Sequence, residues 1–135
     1  LLVLGSGPTR DEVKAQEPLA GYAGKEMVAT LEEAGIQKDL ILVANAYACT
    51  PKEPRQDKEE RLAVACCRPL LRHFVAALPA TTPTLLAGKW ARLAMTGKEK
   101  GLFSNRGFVD MKWDLGSDIA TEAAPEEPEV GPNTE

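Results

Sequence analysis

The chain has 135 residues and a net charge of −4; 44% of its residues are apolar, 27% charged and only 5% aromatic. That length suits one domain able to bury roughly two-thirds of its unfolded surface, and the alanine- and leucine-rich balance fits an α/β protein better than a sandwich or barrel. No run approaches the ~20 apolar residues of a membrane span and no signal peptide is visible, so an intracellular, cytoplasmic protein without a membrane partner is expected.

Residues 1–4 form an apolar run ended by Gly5-Ser6-Gly7-Pro8. This reads as a buried strand entering a turn whose bare backbone N–H groups can approach something small, flat or anionic. Glu12 follows, and Pro18-Leu19-Ala20-Gly21-Tyr22-Ala23-Gly24 opens a helix predicted over residues 24–34. Met27, Val28 and Leu31 share one face of it, and Gly35 ends it as a left-handed cap. Residues 40–44 read as a second strand, followed by Asn45 and, four residues on, by Cys49. A charged loop over 51–56 leads to a long helix predicted over 57–78, with Leu62, Ala65, Cys66, Leu70 and Phe74 facing inward, Pro69 kinking it and Pro79 closing it. Residues 84–87 read as a third strand, 89–95 as a helix and 108–111 as a fourth strand.

Residues 114–135 carry seven acids and no Lys or Arg, so the net charge over residues 1–113 is +3. This segment is rich in Pro, Gly, Ala and Thr and lacks apolar periodicity. It is expected to be a disordered acidic tail or linker, which leaves residues 1–113 as the domain.

Strands alternating with helices imply a parallel sheet covered on both faces with right-handed crossovers. The expected fold is therefore a three-layer α/β/α architecture around four parallel strands. In such sheets ligands bind beyond the carboxyl ends of the strands, so the turn after strand one, Asn45 and Gly88 should converge. A dinucleotide-binding fold is the competing explanation of the glycine turn. Its Gly-x-Gly-x-x-Gly runs straight into a helix, however, whereas sixteen residues lie between Gly7 and Gly24 here.

The ordered series of Gly5-Ser6-Gly7-Pro8, Glu12, the Pro18 to Gly24 segment, Leu31-Glu32-Glu33-Ala34-Gly35-Ile36, the strand ending in Asn45, and Cys49 resembles the iron–sulfur branch of the uracil-DNA glycosylase superfamily. The likeness is to the family 4 and phage-polymerase-associated type, and it extends over residues 1–107. It implies the fold of that family and hydrolysis of the N-glycosidic bond of a uracil flipped out of DNA. Asn45 is then the base-reading residue: a carboxamide offers a donor and an acceptor together, matching uracil O4 and N3–H. An asparagine capping a strand end is the other reading of that position. The backbone of Gly5, Gly7, Pro8 and Thr9 would hold uracil O2, Glu12 or Ser6 would place water as catalytic candidates, and Leu19 and Tyr22 would complete the substrate pocket.

The chain departs from the family pattern at several positions. Ser6 stands where the family has Glu, Thr9 where it has Gly, and Leu19 where a Phe stacks on the flipped base. The closing His-Pro-(Ser/Ala) has no counterpart, since the one histidine, His73, lies within the predicted long helix.

By the same resemblance Cys49 and Cys67 match two ligands of a [4Fe–4S] cluster, whose other two form a Cys-x2-Cys upstream of the first strand. A cluster is expected only if such a pair precedes Leu1. For the sequence as it stands, free cysteines and no cofactor are expected. Lys89, Arg92, Lys98, Lys100 and Arg106 gather in a basic stretch, extended by Lys52 and Arg55, that can contact DNA phosphates or form a solvated face. The expected partners are DNA, uracil-containing by resemblance, and a DNA polymerase module or replication protein. The host cytoplasm is the expected location if the protein is phage-encoded. The rival reading is a catalytically decayed DNA-binding or protein-interaction module, and a third is a nucleotide-binding domain of another family.

Overall fold

Three parallel strands in the order β2-β1-β3 form the centre of the computed structural model, which describes residues 1–49, 55–99 and 113–116. They are β1 (Leu2–Gly5), β2 (Leu42–Asn45) and β3 (Thr84–Leu86). Leu2, Val3 and Leu4 are at most 1% exposed, as befits a central parallel strand covered on both faces, whereas Leu42 and Leu85 on the flanking strands are exposed. The register pairs Leu2 with Leu42 and Thr84, and ends with Gly5 beside Asn45. Residues 108–111, expected as the fourth strand, lie outside the described residues.

The helices are α1 (Arg10–Ala15), α2 (Tyr22–Glu33), α3 (Asp57–Ala76) and α4 (Lys89–Thr96). The β1-to-β2 connection carries α1 and α2, while the β2-to-β3 connection runs back across β1 and carries α3. Right-handed crossovers in opposite directions put their helices on opposite faces, which gives the expected three layers. Leu4, Ala44 and Leu86 on one face pack with Val64 and Leu71 of α3 and Leu93, Ala94 and Met95 of α4. The turn after β1 therefore leaves toward one face, and those after β2 and β3 toward the other. The crevice between them is the place where open parallel sheets take ligands.

Local chemistry explains the element boundaries. Gly35 has φ +87°, its N–H donates to the Glu32 carbonyl at 2.9 Å, and the Ile36 N–H donates to the Leu31 carbonyl at 2.8 Å. These two bonds satisfy carbonyls that the end of α2 would otherwise leave bare. A short 3₁₀ turn, Lys38–Leu40, follows, so β2 starts at Leu42 rather than at residue 40. Asp57, Glu59 and Glu60 occupy the first turn of α3, where carboxylates complement the exposed N–H groups of the helix. The helix runs on through Pro69, whose missing N–H leaves the Ala65 carbonyl without its usual donor.

The inward face of α3 differs from the expected one. Leu62 and Leu70 are 51% and 67% exposed, and Cys66 and Phe74 are exposed as well. The buried stripe is Arg61, Val64, Arg68 and Leu71, with Val75 packed beside it. Two arginines enter the interior because each carries an apolar stem and finds partners for its head. Arg61 forks onto Glu99 with two bonds of 2.8 Å. Arg68 donates to the Ala94 carbonyl at 3.1 Å and to the Asp114 carbonyl. The Asp114 N–H in turn donates to the Met95 carbonyl at 2.7 Å, and Leu115 packs against the core. Among the described residues no helix is long and apolar enough to cross a membrane.

Candidate active site at the carboxyl ends of the strands

The last register pair places the glycine turn beside Asn45. Beyond it the Ala46 N–H donates to the Gly5 carbonyl at 2.8 Å and the Tyr47 N–H to the Ser6 carbonyl at 3.1 Å, so β2 follows the turn for two more residues. A Cβ on Gly5 would lie 2.9 Å from Asn45 Oδ1, which makes the absence of a side chain at residue 5 the condition for the carboxamide's position. That carboxamide is half-buried and has no hydrogen-bond partner among the described residues. The N–H groups of Ser6, Gly7 and Thr9 likewise donate to no other described group. Ser6 Oγ lies 3.2 Å from where a Cβ of Gly88 would stand, so the loop after β3 joins the same end of the sheet. Asn45 and Pro8 line one cavity of about 430 Å³ together with Val43, Ala44, Ala48 and four residues of α3: Cys67, Leu70, Leu71 and Phe74. This volume falls within the range of small-molecule sites.

The remaining sequence candidates fall around this centre unevenly. Thr9 Oγ1 accepts from the Glu12 N–H at 3.2 Å, so Thr9 caps α1, with half-buried Glu12 in the first turn of that helix. Leu19 sits at φ +59°, a conformation costly to a residue with a Cβ. Tyr22 is 81% exposed and lines a different cavity, of about 620 Å³, with Asp11, Lys14 and Lys25. It does not share the cavity of Asn45.

A family model described as the Uracil DNA glycosylase superfamily matches residues 1–122. The chain belongs to this superfamily. It is 32% identical over 66 residues to a type-4 uracil-DNA glycosylase of Thermotoga maritima, covering 49% of this chain and 34% of the relative. It is 29% identical over 79 residues to a type-4 uracil-DNA glycosylase of Archaeoglobus fulgidus, covering 58% of this chain and 39% of the relative. The matches thus span between a third and two-fifths of the length of these relatives.

Within this glycosylase fold a polar chain runs beneath the turn that no motif announced. Arg55 donates from Nη2 to the Pro8 carbonyl at 2.6 Å and from Nη1 to Tyr47 Oη at 3.1 Å. The Tyr47 hydroxyl donates to Glu60 Oε1 at 2.6 Å, and Trp90 Nε1 donates to Glu60 Oε2 at 2.8 Å. Burial first, and then the Glu60 carboxylate, push the Tyr47 phenol well above its ordinary value, so it stays a neutral donor. The Tyr47 ring is fully buried and presses on Gly7, where a Cβ would lie 2.0 Å from Cε2. The one sequence signal for Tyr47 was an aromatic two residues past the strand end. For Glu60 the sequence offers only an acid near the start of a helix.

The basic residues expected to face DNA do not form one open patch among the described residues. Lys89 pairs with Asp57 at 2.7 Å and lies 4.6 Å from the centre of the Trp90 ring, while Arg61 stands 5.5 Å from that same centre. Arg92 is 7% exposed, inside α4's buried run. Lys98 is exposed, Arg55 turns to the turn and Tyr47, and Lys52, Lys100 and Arg106 lie outside the described residues.

Cys49 and Cys67 are neighbours. The Ala48 N–H points to Cys67 Sγ at 3.5 Å, and the Cys49 thiol is pushed up by burial and then by Cys67. Among the described residues no group of three or more potential metal ligands occurs.

Proposed function

We propose that this chain forms the base-reading part of a uracil-DNA glycosylase site, taking uracil flipped from DNA and cleaving its N-glycosidic bond. The pairing of Gly5 with Asn45 at the end of the sheet carries the proposal, because it sets a carboxamide beside three turn N–H groups, all without a hydrogen-bond partner among the described residues. Asn45 Nδ2 donates to uracil O4 and Oδ1 accepts from N3–H, a pattern cytosine cannot match. As the C1′–N1 bond breaks, its electron pair passes to the base and charge gathers on O2, where turn N–H groups stabilise it. Water supplies the hydroxyl to C1′, with Glu12 or Ser6 holding it, and its proton is released. Uracil in DNA is the substrate, and Lys98, exposed within the basic stretch, meets its phosphates.

The test is alkali-revealed strand cleavage of a single-stranded oligonucleotide carrying one uracil. The unaltered chain should generate abasic sites, and Asn45→Ala should reduce the rate by on the order of 10²-fold, as for loss of an oxyanion-hole donor. Equal rates in the two proteins would refute the role of Asn45.

One observation favours a second reading, a DNA-binding module without excision. His73, the single histidine, is exposed on α3 and does not line the cavity, so no imidazole of this chain is on hand for the departing base. That reading predicts salt-sensitive binding of the same oligonucleotide with no abasic sites.

The implied [4Fe–4S] cluster does not fit the donors present. Cys49 and Cys67 are adjacent, but a cubane takes four thiolates, the sequence holds three cysteines, and Cys66 is exposed. Further thiolates would have to come from outside these 135 residues, and no step above is routed through the cluster.

A further inference from the structure

We propose that Arg55 is a positioning residue that aims the glycine turn, a role that rests on the glycosylase reading for its catalytic consequence but not for its structural one. The guanidinium spans two anchors of different kinds. One branch holds the Pro8 carbonyl at 2.6 Å, and the other holds the Tyr47 hydroxyl at 3.1 Å. Tyr47 is no loose partner: its hydroxyl is spent on Glu60, Glu60 is held from its other oxygen by Trp90, and both rings are buried. Every donor in the series Trp90 to Glu60, Tyr47 to Glu60, Arg55 to Tyr47 and Arg55 to Pro8 meets an acceptor with room for it.

The consequence follows from peptide geometry. In a trans peptide the carbonyl oxygen and the following N–H point in opposite directions. Holding the Pro8 carbonyl toward α3 therefore fixes the direction of the Thr9 N–H, and the Tyr47 ring under Gly7 fixes the preceding residue. Without this clamp the turn has few ties of its own, since the N–H groups of Ser6, Gly7 and Thr9 bond nothing described and Pro8 has none. Lysine cannot replace the fork, because one ammonium on a flexible stem lacks the two parallel branches.

The test compares Arg55→Ala, Arg55→Lys and Tyr47→Phe in the full 135-residue chain by amide hydrogen exchange, with the Leu4 and Ala94 amides as controls for global opening. Arg55→Ala should speed exchange at the Tyr47 and Val13 amides, which donate to the Ser6 and Thr9 carbonyls at the two ends of the turn, by about tenfold or more while the controls stay within about twofold, with Arg55→Lys in between. Tyr47→Phe should speed it comparably, and the double variant Arg55→Ala/Tyr47→Phe should add little, since both break one chain. In single-turnover excision, Arg55→Ala should lower the chemical rate about tenfold and leave KM for the oligonucleotide unchanged. Unchanged exchange at the Tyr47 and Val13 amides, or exchange that rises in step with the controls, overturns the proposal, and so does an unchanged rate in an active protein. If the unaltered chain releases no uracil while the exchange pattern appears, the glycosylase reading fails and the clamp stands.

Discussion

Gly7→Ala should be among the most damaging single-methyl changes in this protein, although residue 7 lies in a turn. A Cβ there would stand 2.0, 2.3 and 2.7 Å from three atoms of the Tyr47 ring, whereas carbon atoms in contact settle at about 3.5–4.0 Å. The ring would have to retreat by about 1.5 Å, into a core where it is fully buried and where its hydroxyl is tethered to Glu60 and Arg55. Overpacking of this kind costs about 1–3 kcal/mol, and a hydrogen bond pulled out of shape adds about 1 kcal/mol. With an unfolding entropy of about 2.1 cal/mol/K per residue, a loss of about 3 kcal/mol lowers Tm by roughly 10 °C. Thermal and urea unfolding followed by circular dichroism measure it. Tyr47→Val, which lacks all three clashing atoms, supplies the control, and in that background Gly7→Ala should cost less than about 1 kcal/mol. Equal costs in the two backgrounds, or a cost below about 0.5 kcal/mol in the unaltered protein, would refute the reasoning.

Two further expectations rest on independent features. Gly35→Ala meets no atom within 4 Å but must adopt φ +87°, so its cost is conformational alone, about 1–2 kcal/mol, read as a fall in Tm of roughly 4–7 °C. A Tm unchanged within error would mean that α2 does not need its left-handed ending. The Glu99 carboxyl is held below its usual range by the Arg61 guanidinium, whose side chain is 4% exposed. A carboxylate with a lowered folded-state pKa stabilises fully above its unfolded value, near 4.5, and loses that contribution as pH falls through the folded one. Glu99→Gln should therefore be less stable than the unaltered protein at neutral pH, with the gap in urea midpoint narrowing below about pH 4.5. A gap independent of pH would show that the pair's charge plays no part.

Much of the fold was legible because parallel strands and their helices advertise themselves locally. The apolar run before Gly5, Gly35 as a cap and the α4 segment owe their state to nearest-neighbour chemistry and burial and lie where the pattern put them, whereas the second strand begins two residues later than expected, at Leu42. Membership of the glycosylase superfamily was legible in the same way, from residues in order along the chain. The inward face of α3 was not. Counting apolar residues chose Leu62, Leu70 and Phe74, and the interior took Arg61 and Arg68 instead, because Glu99 and the carbonyls of Ala94 and Asp114, distant in sequence, are there to receive their heads.

The same division runs through the candidate site. Asn45 and the glycine turn could be singled out as types suited to reading a base. That they are neighbours is a matter of strand register, which depends on two segments some forty residues apart pairing in parallel. Tyr47, Glu60, Trp90 and Arg55 carry no pattern that links them, since a hydrogen-bonded series across the β2-to-α3 connection, α3 and α4 exists only once those parts have packed. What the order of residues determined by itself was the kind of fold and the family. Which arginines face inward, which ring carries the turn and which amide meets it were decided by tertiary structure, since only packing brings remote donors, acceptors and surfaces within bonding distance.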